Sequence, residues 1–427
     1  MKKVLLIGYP FPLRQGGSPR LLGLAKYLPE FGWQPIILTA PLDKKPDPAY
    51  QIIETDYRNA LGFWINLFRF NPDEDLRRQV KQRFGVASKK SLLDRLLTFA
   101  GEIVNYPDSD KGWKPYAVKA GDEIIRREGI DAIISTSAPV TVHIIARELK
   151  SRYKIPWLAD LRDLWSQNHN YSYSQIRRWF DRRLELKTLS SANALITVSQ
   201  PWAEKLSALH GGKKTFTITN GFDPQTVNIP PQNLTDKFTI TYTGLVYPGK
   251  QDPTRLFAAL HDLISSGVLN PNHIEVRFYG PTADWLDREI EQYRLSHVAK
   301  QYGLVSRDIA LQKQRESQLL LLLNWDDPGE KGNYPGKVFE YLAARRPILA
   351  IGGSEGDVVG ELLGETLSGI HAITVEDIKN ALEKMYQQFQ SEGRVTSHGD
   401  NSKINKYSYR EMAKKFAEIL DNLAPGK

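Results

Sequence analysis

Short runs that are apolar at nearly every position recur down this chain, each closed by a glycine or polar turn and followed by a helical pattern. The first half carries them at Lys3–Gly8, Gln34–Thr39, Ile130–Thr136, Ile155–Ala159 and Ala194–Val198. The second half carries them at Phe238–Thr243, Ile274–Tyr279, Leu319–Leu323 and Ile348–Ile351. A strand that is apolar on both faces must be covered on both faces, and a parallel sheet flanked by helices does that. The pattern therefore predicts an α/β fold with two strand–helix series. Helices are expected at Ser18–Phe31, Trp113–Glu128, Arg177–Ser190, Asp284–Leu295, Ile309–Glu316 and Tyr407–Leu423.

A chain of 427 residues has room for two or three domains. The Pro-, Asn- and Gln-containing stretch Pro224–Lys237 reads as the linker. This places one domain at 1–224, a second at 225–405 and a closing helical segment at 406–427. Residues 43–112 are the least regular part, with LGFWINLFRF and basic, apolar stretches after it. They fit either a basic amphipathic surface for a membrane or a lipid-linked acceptor, or a helical hairpin packed on the first domain. The polar stretch Gln387–Lys406 reads as exposed connection. The chain has no cysteine, which removes disulfide and thiolate chemistry and fits a reducing compartment. MKKVLLIGYPFPL is too short and too soon broken by Tyr9 and Pro10 for a signal peptide. No segment reaches the roughly 20 apolar residues of a membrane span. A net charge of +8 suits nucleotides or acidic lipid surfaces, and no nucleic-acid partner is expected.

The candidate site residues sit at the turns. Gly332–Gly353 reads as a loop, a short helix and a strand, with Pro335 and Gly336 at the helix start and Arg345, Arg346 and Pro347 at its end. Lys337 and Glu340 share one face, expected to be exposed together with Tyr341 and Ala344. Helix-end N–H groups and a cation suit a phosphate, and a glutamate one turn on suits the hydroxyls of a ribose. An ordinary Lys–Glu surface pair is the plainer alternative. Gly244, closing the strand Phe238–Thr243, precedes Lys250, and Tyr279–Gly280 closes the next strand. Both glycines would let a nucleotide approach. Arg307 precedes the helix Ile309–Glu316.

In the first half, Gly16 and Gly17 stand in the first strand-to-helix turn, where they offer N–H groups to a phosphate or simply make a tight turn. Their spacing from Gly8 does not make a dinucleotide fingerprint, and no acidic residue ends the second strand. His143 falls in the first turn of a helix, where its neutral form is favoured. It is either a hydrogen-bonding group for substrate or a structural histidine. Asp160, Arg162 and Asp163 follow the strand Ile155–Ala159, at the end that faces the ligand crevice in open α/β sheets. Two carboxylates and a guanidinium so close either pair with each other or serve a substrate.

The segment GNYPGKVFEYLAARRPILA resembles the donor-site segment of retaining glycosyltransferases of the GT-B fold, the family 4 type. Glu340 matches the second glutamate of that motif, and Gly332 stands where the first is usual, with Glu330 two residues away. Pro335, Lys337, Glu340 and Tyr341 match the "P-x-K-x-x-E-Y" variant of enzymes that build bacterial surface polysaccharides. IPWLADLRDLW is similar to their "P-W-x-x-D-x-R-D-x-W" segment. Asn220-Gly221-Phe222-Asp223 resembles the family's "N-G-V-D" at the domain junction. The resemblance implies two Rossmann-like domains facing across a cleft, with the last helix returning to the first domain.

The resemblance also implies roles. Gly16 and Gly17 would lie beside the donor diphosphate; Gly244, Lys250, Tyr279, Gly280, Arg307, Pro335, Gly336, Lys337 and Glu340 would hold the donor. Leu245 replaces the usual arginine of the diphosphate clamp, a charge Lys337 could supply. Asp163 or Asp160 would act at the acceptor hydroxyl and Arg162 would bind the acceptor, while His143, from its helix position, is a third catalytic candidate that would hydrogen-bond a sugar or phosphate. The implied reaction is retaining transfer of a sugar from a UDP- or GDP-linked donor to a glycan or lipid-linked acceptor. Neither a metal nor another cofactor is expected, and the protein would be cytoplasmic or peripheral at the inner membrane face. Two alternatives stay open: a nucleotide-sugar epimerase of the same fold, and a non-catalytic partner of another transferase.

Overall fold

A computed structural model describes residues 1–9, 19–42, 48–58, 101–228 and 233–424. The chain divides into two compact units, Met1–Ile218 with Ala413–Lys427, and Thr219–Met412.

In the first unit the strands are β1 (Lys2–Ile7), β2 (Trp33–Thr39), β3 (Ile52–Glu54), β4 (Ala132–Ser137), β5 (Trp157–Leu161), β6 (Ala194–Thr197) and β7 (Thr215–Thr217). They form one sheet in the order β3-β2-β1-β4-β5-β6-β7, with every pairing parallel. Its helices are α1 (Pro19–Tyr27), α2 (Lys114–Glu128), α3 (Thr141–Tyr153), α4 (Gln175–Leu189) and α5 (Gln200–Leu209). Leu5, Ile7, Ile133, Trp157 and Leu195 are fully buried between the layers, which is why these strands carry apolar residues at consecutive positions.

In the second unit β8 (Phe238–Thr243), β9 (Ile274–Tyr279), β10 (Ala299–Gly303), β11 (Leu319–Leu323), β12 (Ile348–Ile351) and β13 (Gly369–Ala372) form a sheet in the order β10-β9-β8-β11-β12-β13. It too is parallel throughout. Its helices are α6 (Thr254–Ser265), α7 (Asp284–Gln292), α8 (Arg307–Glu316), α9 (Lys337–Ala344), α10 (Val358–Thr366), α11 (Val375–Glu392) and the short α12 (Asn401–Asn405). The core divides across the sheet, with Phe238, Phe257, Leu321 and Tyr386 on one face and Leu320, Phe339, Leu342 and Leu363 on the other.

The chain ends in α13 (Tyr409–Leu423), whose residues from Ala413 onward belong to the first unit. There Asp421 accepts from Lys2 Nζ at 3.0 Å and from Trp33 Nε1 at 3.1 Å.

Two expectations are corrected. Gln387–Glu392 is not loose connection but the end of α11, which buries Ile378, Leu382, Met385, Tyr386 and Phe389 on one stripe. The face shared by Lys337, Glu340, Tyr341 and Ala344 is not an exposed one, because Tyr341 and Ala344 are buried. The calls on Gly16, Gly17 and most of 43–112 lie outside the described residues. No helix among the described residues is long and apolar enough to cross a membrane.

Candidate functional site

In an open parallel sheet the strand order reverses at one point, and the crevice outside the carboxyl ends of the two central strands is the ordinary ligand position. In the second unit those strands are β8 and β11. Beyond them lie Gly244, Asn324 and the start of α9.

Gly244 has φ +112, a left-handed backbone, and donates its N–H to the Tyr279 carbonyl at 2.6 Å. A Cβ there would sit 2.4 Å from Lys337 Cε, so the lysine stem crosses the place a side chain would occupy. Gly280 packs as tightly: its Cβ would meet the Gly244 carbonyl oxygen at 2.2 Å. Gly280 thus lets the ends of β8 and β9 close on each other, and Gly244 lets the Lys337 stem lie across it.

We expect Gly280→Ala to cost about 2–3 kcal/mol, because a backbone carbonyl must move, and to lower Tm by roughly 5–10 °C. Gly244→Ala should cost less, about 1–2 kcal/mol from the left-handed backbone, because the lysine stem can swing aside. Thermal unfolding checks both, and a Tm for Gly280→Ala equal to that of the unaltered protein would contradict this packing.

Lys337 is the first residue of α9, which Gly336 caps. Its Nζ lies 5.0 Å from the centroid of the Tyr242 ring. Burial pushes its pKa down to about 8, and Glu340 offsets only part of this. Among the described residues no acceptor hydrogen-bonds this ammonium, so a cation with three donors is held largely out of water against an aromatic face. Such a group is stabilised by an arriving anion.

One turn on, Glu340 accepts from Arg307 Nη2 at 2.9 Å. Its other oxygen lies 3.5 Å from Gln314 Nε2, which also donates to Thr243 Oγ1 at 2.9 Å. Tyr341 Oη accepts from the Thr243 N–H at 3.1 Å, and burial pushes its phenol up to about 12. Tyr279 stacks on Tyr302 with ring centroids 4.9 Å apart.

The structure thus gathers Gly244, Tyr279, Gly280, Arg307, Gly336, Lys337 and Glu340 at one edge of one sheet. Sequence reasoning missed Thr243, Gln314 and Tyr242. Gln314 could have been found: it stands two helical turns after Arg307 on the same face, a polar side chain that is fully buried with Oε1 unpartnered. Pro335 directly precedes the Gly336 cap.

Lys250 stands apart from this cluster, exposed on the turn after β8 with Nζ 5.7 Å from the Trp325 ring. Glu330 is buried in its own loop and accepts from the Gly332 N–H at 2.8 Å. It organises that loop.

The first unit has its own strand-order reversal between β1 and β4. At the end of β4, Arg162 donates to the carbonyls of Ser137 at 2.7 Å and Ala138 at 3.2 Å. Asp163, one residue on, is exposed. Asp160 is wholly buried: Arg20 Nε and Nη2 take its two oxygens at 3.0 and 2.9 Å, and Nη2 also donates to the Ile218 carbonyl. His143 is also wholly buried. Its Nδ1 pairs with Ser135 Oγ at 2.8 Å, and burial pushes its pKa down to about 3. Asp160 and His143 therefore sit in the core, and of the three candidate catalytic groups Asp163 alone meets solvent.

Residues 15–221 match the model of the glycosyl transferase 4-like domain. A search of the curated proteins finds no match. Among solved structures, HepE from Anabaena, solved with UDP and glucose, is 14% identical over 99% of this chain and 100% of its own, with a TM-score of 0.62. Sucrose-phosphate synthase from Thermosynechococcus elongatus is 13% identical over 99% of each chain, with a TM-score of 0.59. TarM from S. aureus, solved with UDP, is 10% identical over 99% of this chain and 100% of its own, with a TM-score of 0.59. The fold is GT-B. In that GT-B frame the glycosyl transferase 4-like match ends at Gly221, close to where the first unit ends, and the Lys337 cluster lies in the second.

Proposed function

We propose that this protein is a retaining glycosyltransferase. It takes a sugar from a nucleotide-diphosphate donor, UDP- or GDP-linked, and passes it to a glycan or lipid-linked acceptor in surface-polysaccharide assembly. The observation that carries the reading is the Lys337 ammonium, desolvated, without a hydrogen-bond acceptor among the described residues, and seated at a helix N-terminus with its stem across Gly244. That arrangement fits a diphosphate. The 4-like domain match and the GT-B fold support the same reaction class. HepE and TarM were each solved with UDP, which makes UDP the first nucleotide to test.

In this reading Lys337 and the N–H groups after Gly336 hold the diphosphate, and Gly244 and Gly280 let it approach. Glu340 takes the ribose hydroxyls, and Tyr279 with Gly280 edges the base. The anomeric carbon–oxygen bond to the diphosphate breaks, and the acceptor oxygen bonds that carbon on the same face. The acceptor proton passes to the departing diphosphate. The protein's part is positioning and positive charge. Asp163 and Arg162 orient the acceptor, and no metal is needed. Peripheral attachment to the inner membrane face is supported by α4, which exposes Ile176, Trp179 and Phe180 beside Arg182 and Arg183.

The test is a panel of UDP- and GDP-sugars with and without candidate acceptors, read by mass spectrometry. Acceptor-dependent release of UDP or GDP is expected. Isomerisation of the donor sugar without acceptor would make the protein an epimerase, and binding without turnover would make it a non-catalytic partner. Glu340→Gln should weaken UDP binding about 10-fold or more, the loss of charged hydrogen bonds worth roughly 1.5–3 kcal/mol. Calorimetry giving an unchanged Kd for that variant would remove Glu340 from the ribose.

A further inference from the structure

Helices α8 and α9 start at the Lys337 cluster, and both end at the opposite edge of the same sheet. Glu316 closes α8 and Ala344 closes α9, just before β11 and β12 begin. Eight residues of helix span about 12 Å, so the two edges are well separated. At the far edge lies a cavity of about 550 Å³ lined by Arg315, Arg345, Arg346 and Arg394, with no carboxylate among the described residues of its lining. A second cavity of about 650 Å³ shares Arg345 and Val227 with it and adds Lys406 and Arg410, but also the carboxylate of Glu411.

Arginines near helix C-termini can be satisfied by the last carbonyls. Arg346 is: it donates to the carbonyls of Ser317, Gln318 and Val395 at 2.7, 3.2 and 2.7 Å. Arg315 donates to the Thr226 carbonyl at 3.1 Å. Arg345 is not. Its Nη2 donates to Asn405 Oδ1 at 2.5 Å, but Nε and Nη1 are buried and have no hydrogen-bond partner among the described residues. It also stands at φ +56, the left-handed position after a helix that glycine usually takes. Arg394 is exposed at the rim. Burial pushes Arg315 and Arg345 down from the usual arginine range, and burial with the neighbouring Arg394 pushes Arg346 down to about 10. Four arginines line one opening, Arg394 disfavours the charge of Arg346, and two buried Arg345 donors are unmet among the described residues, so an anion would be favoured here.

We propose that this cavity is a second anion site, separate from the Lys337 cluster, and that it takes a phosphate-bearing ligand bridged by Arg345 and Arg394. The geometry suits guanidinium recognition, since planar N–H pairs match phosphate oxygens. The phosphate could belong to a free metabolite or to a lipid headgroup, and the two are separable.

The experiment is thermal unfolding of the full chain with inorganic diphosphate against sodium chloride at matched ionic strength. In a Lys337→Ala background, which removes the first site's cation, diphosphate should raise Tm by roughly 3 °C, and by less than about 1 °C once Arg345→Gln or Arg394→Gln is added. Arg394 is exposed, so its variant should fold even if Arg345→Gln does not. A rise of equal size with and without the arginine changes in that background, or no rise in Lys337→Ala itself, overturns the proposal. Sedimentation with phosphatidylglycerol vesicles, against phosphatidylcholine vesicles, assigns the source. Capture that diphosphate displaces and Arg394→Gln loses assigns a lipid headgroup, and lack of capture beside a thermal response assigns a free phosphate.

Discussion

Lys337→Met is expected to lower kcat/KM for the donor by about 100- to 1,000-fold, the usual effect of removing one preorganised charge from a transition state that develops negative charge. The unaltered enzyme should show the same dependence on pH. Burial sets the Lys337 pKa near 8 in the free protein. kcat/KM reports free-enzyme groups, so it should fall above about pH 8, approaching tenfold per unit. With the donor bound, its diphosphate favours the charged lysine, so the break in kcat should lie at higher pH.

Stability moves the other way. An unfolded lysine keeps its proton up to about 10.5, whereas the folded one releases it near 8. Between those values the unfolded chain binds more protons, so this group's contribution makes unfolding harder as pH rises through the window. Below pH 8 the lysine is protonated in both states and the full penalty of burying the ammonium is present. Lys337→Met should abolish both trends. Parallel pH series of kcat/KM and Tm measure them, and a flat kcat/KM across pH 7–9 in the unaltered protein would remove Lys337 from the diphosphate.

The sequence was most legible where burial is complete. Strands β8, β11 and β12 run over the residues their apolar runs predict, because each is covered on both faces, and β9 does so too although Glu275 and Arg277 leave one face half-buried. β10, with the sequence AKQYG, is an edge strand with a half-polar pattern, and β3 is three residues at the other sheet's edge. Neither has a signal that distinguishes it from a loop. α11 was misread at its end because Gln387, Gln388 and Glu392 dominate its exposed face, while Phe389 continues the buried stripe set by Met385 and Tyr386.

In the candidate site, Lys337, Glu340, Gly244 and Gly280 were legible because helix starts and strand ends mark themselves with glycine, proline and charge. Their neighbours were not. That Tyr242 lies under the lysine, or that Gln314 links Glu340 to Thr243, depends on which strands and helices meet, which no local pattern states. Asp160 and Asp163 show the same limit at closer range. Asp160 lies inside β5, where every residue is buried, and meets Arg20, whereas Asp163 comes after the strand has ended and is exposed.

Asp160→Ala should accordingly act on stability before it acts on chemistry. Arg20 is 1% exposed and Asp160 is 0% exposed, and both guanidinium contacts are of hydrogen-bond length. Desolvating two charges offsets most of their attraction, so the intact pair adds little net stability. Removing one partner is different, since the other remains buried without its counter-charge, at about 3–5 kcal/mol. For a unit of this size that is a Tm drop of roughly 10 °C. Arg20→Ala should behave alike, although its remaining bond to the Ile218 carbonyl and its place 5.3 Å from the Phe416 ring are lost with it. The double variant, Arg20→Met with Asp160→Leu, should be less destabilised than the sum of the single ones, because no charge is left behind. Asp163→Asn separates the roles: on the exposed neighbour it should leave Tm within about 1 °C while lowering transfer to the acceptor. If Asp160→Ala instead kept its Tm and lost only turnover, the carboxylate would belong to the reaction and not to the core.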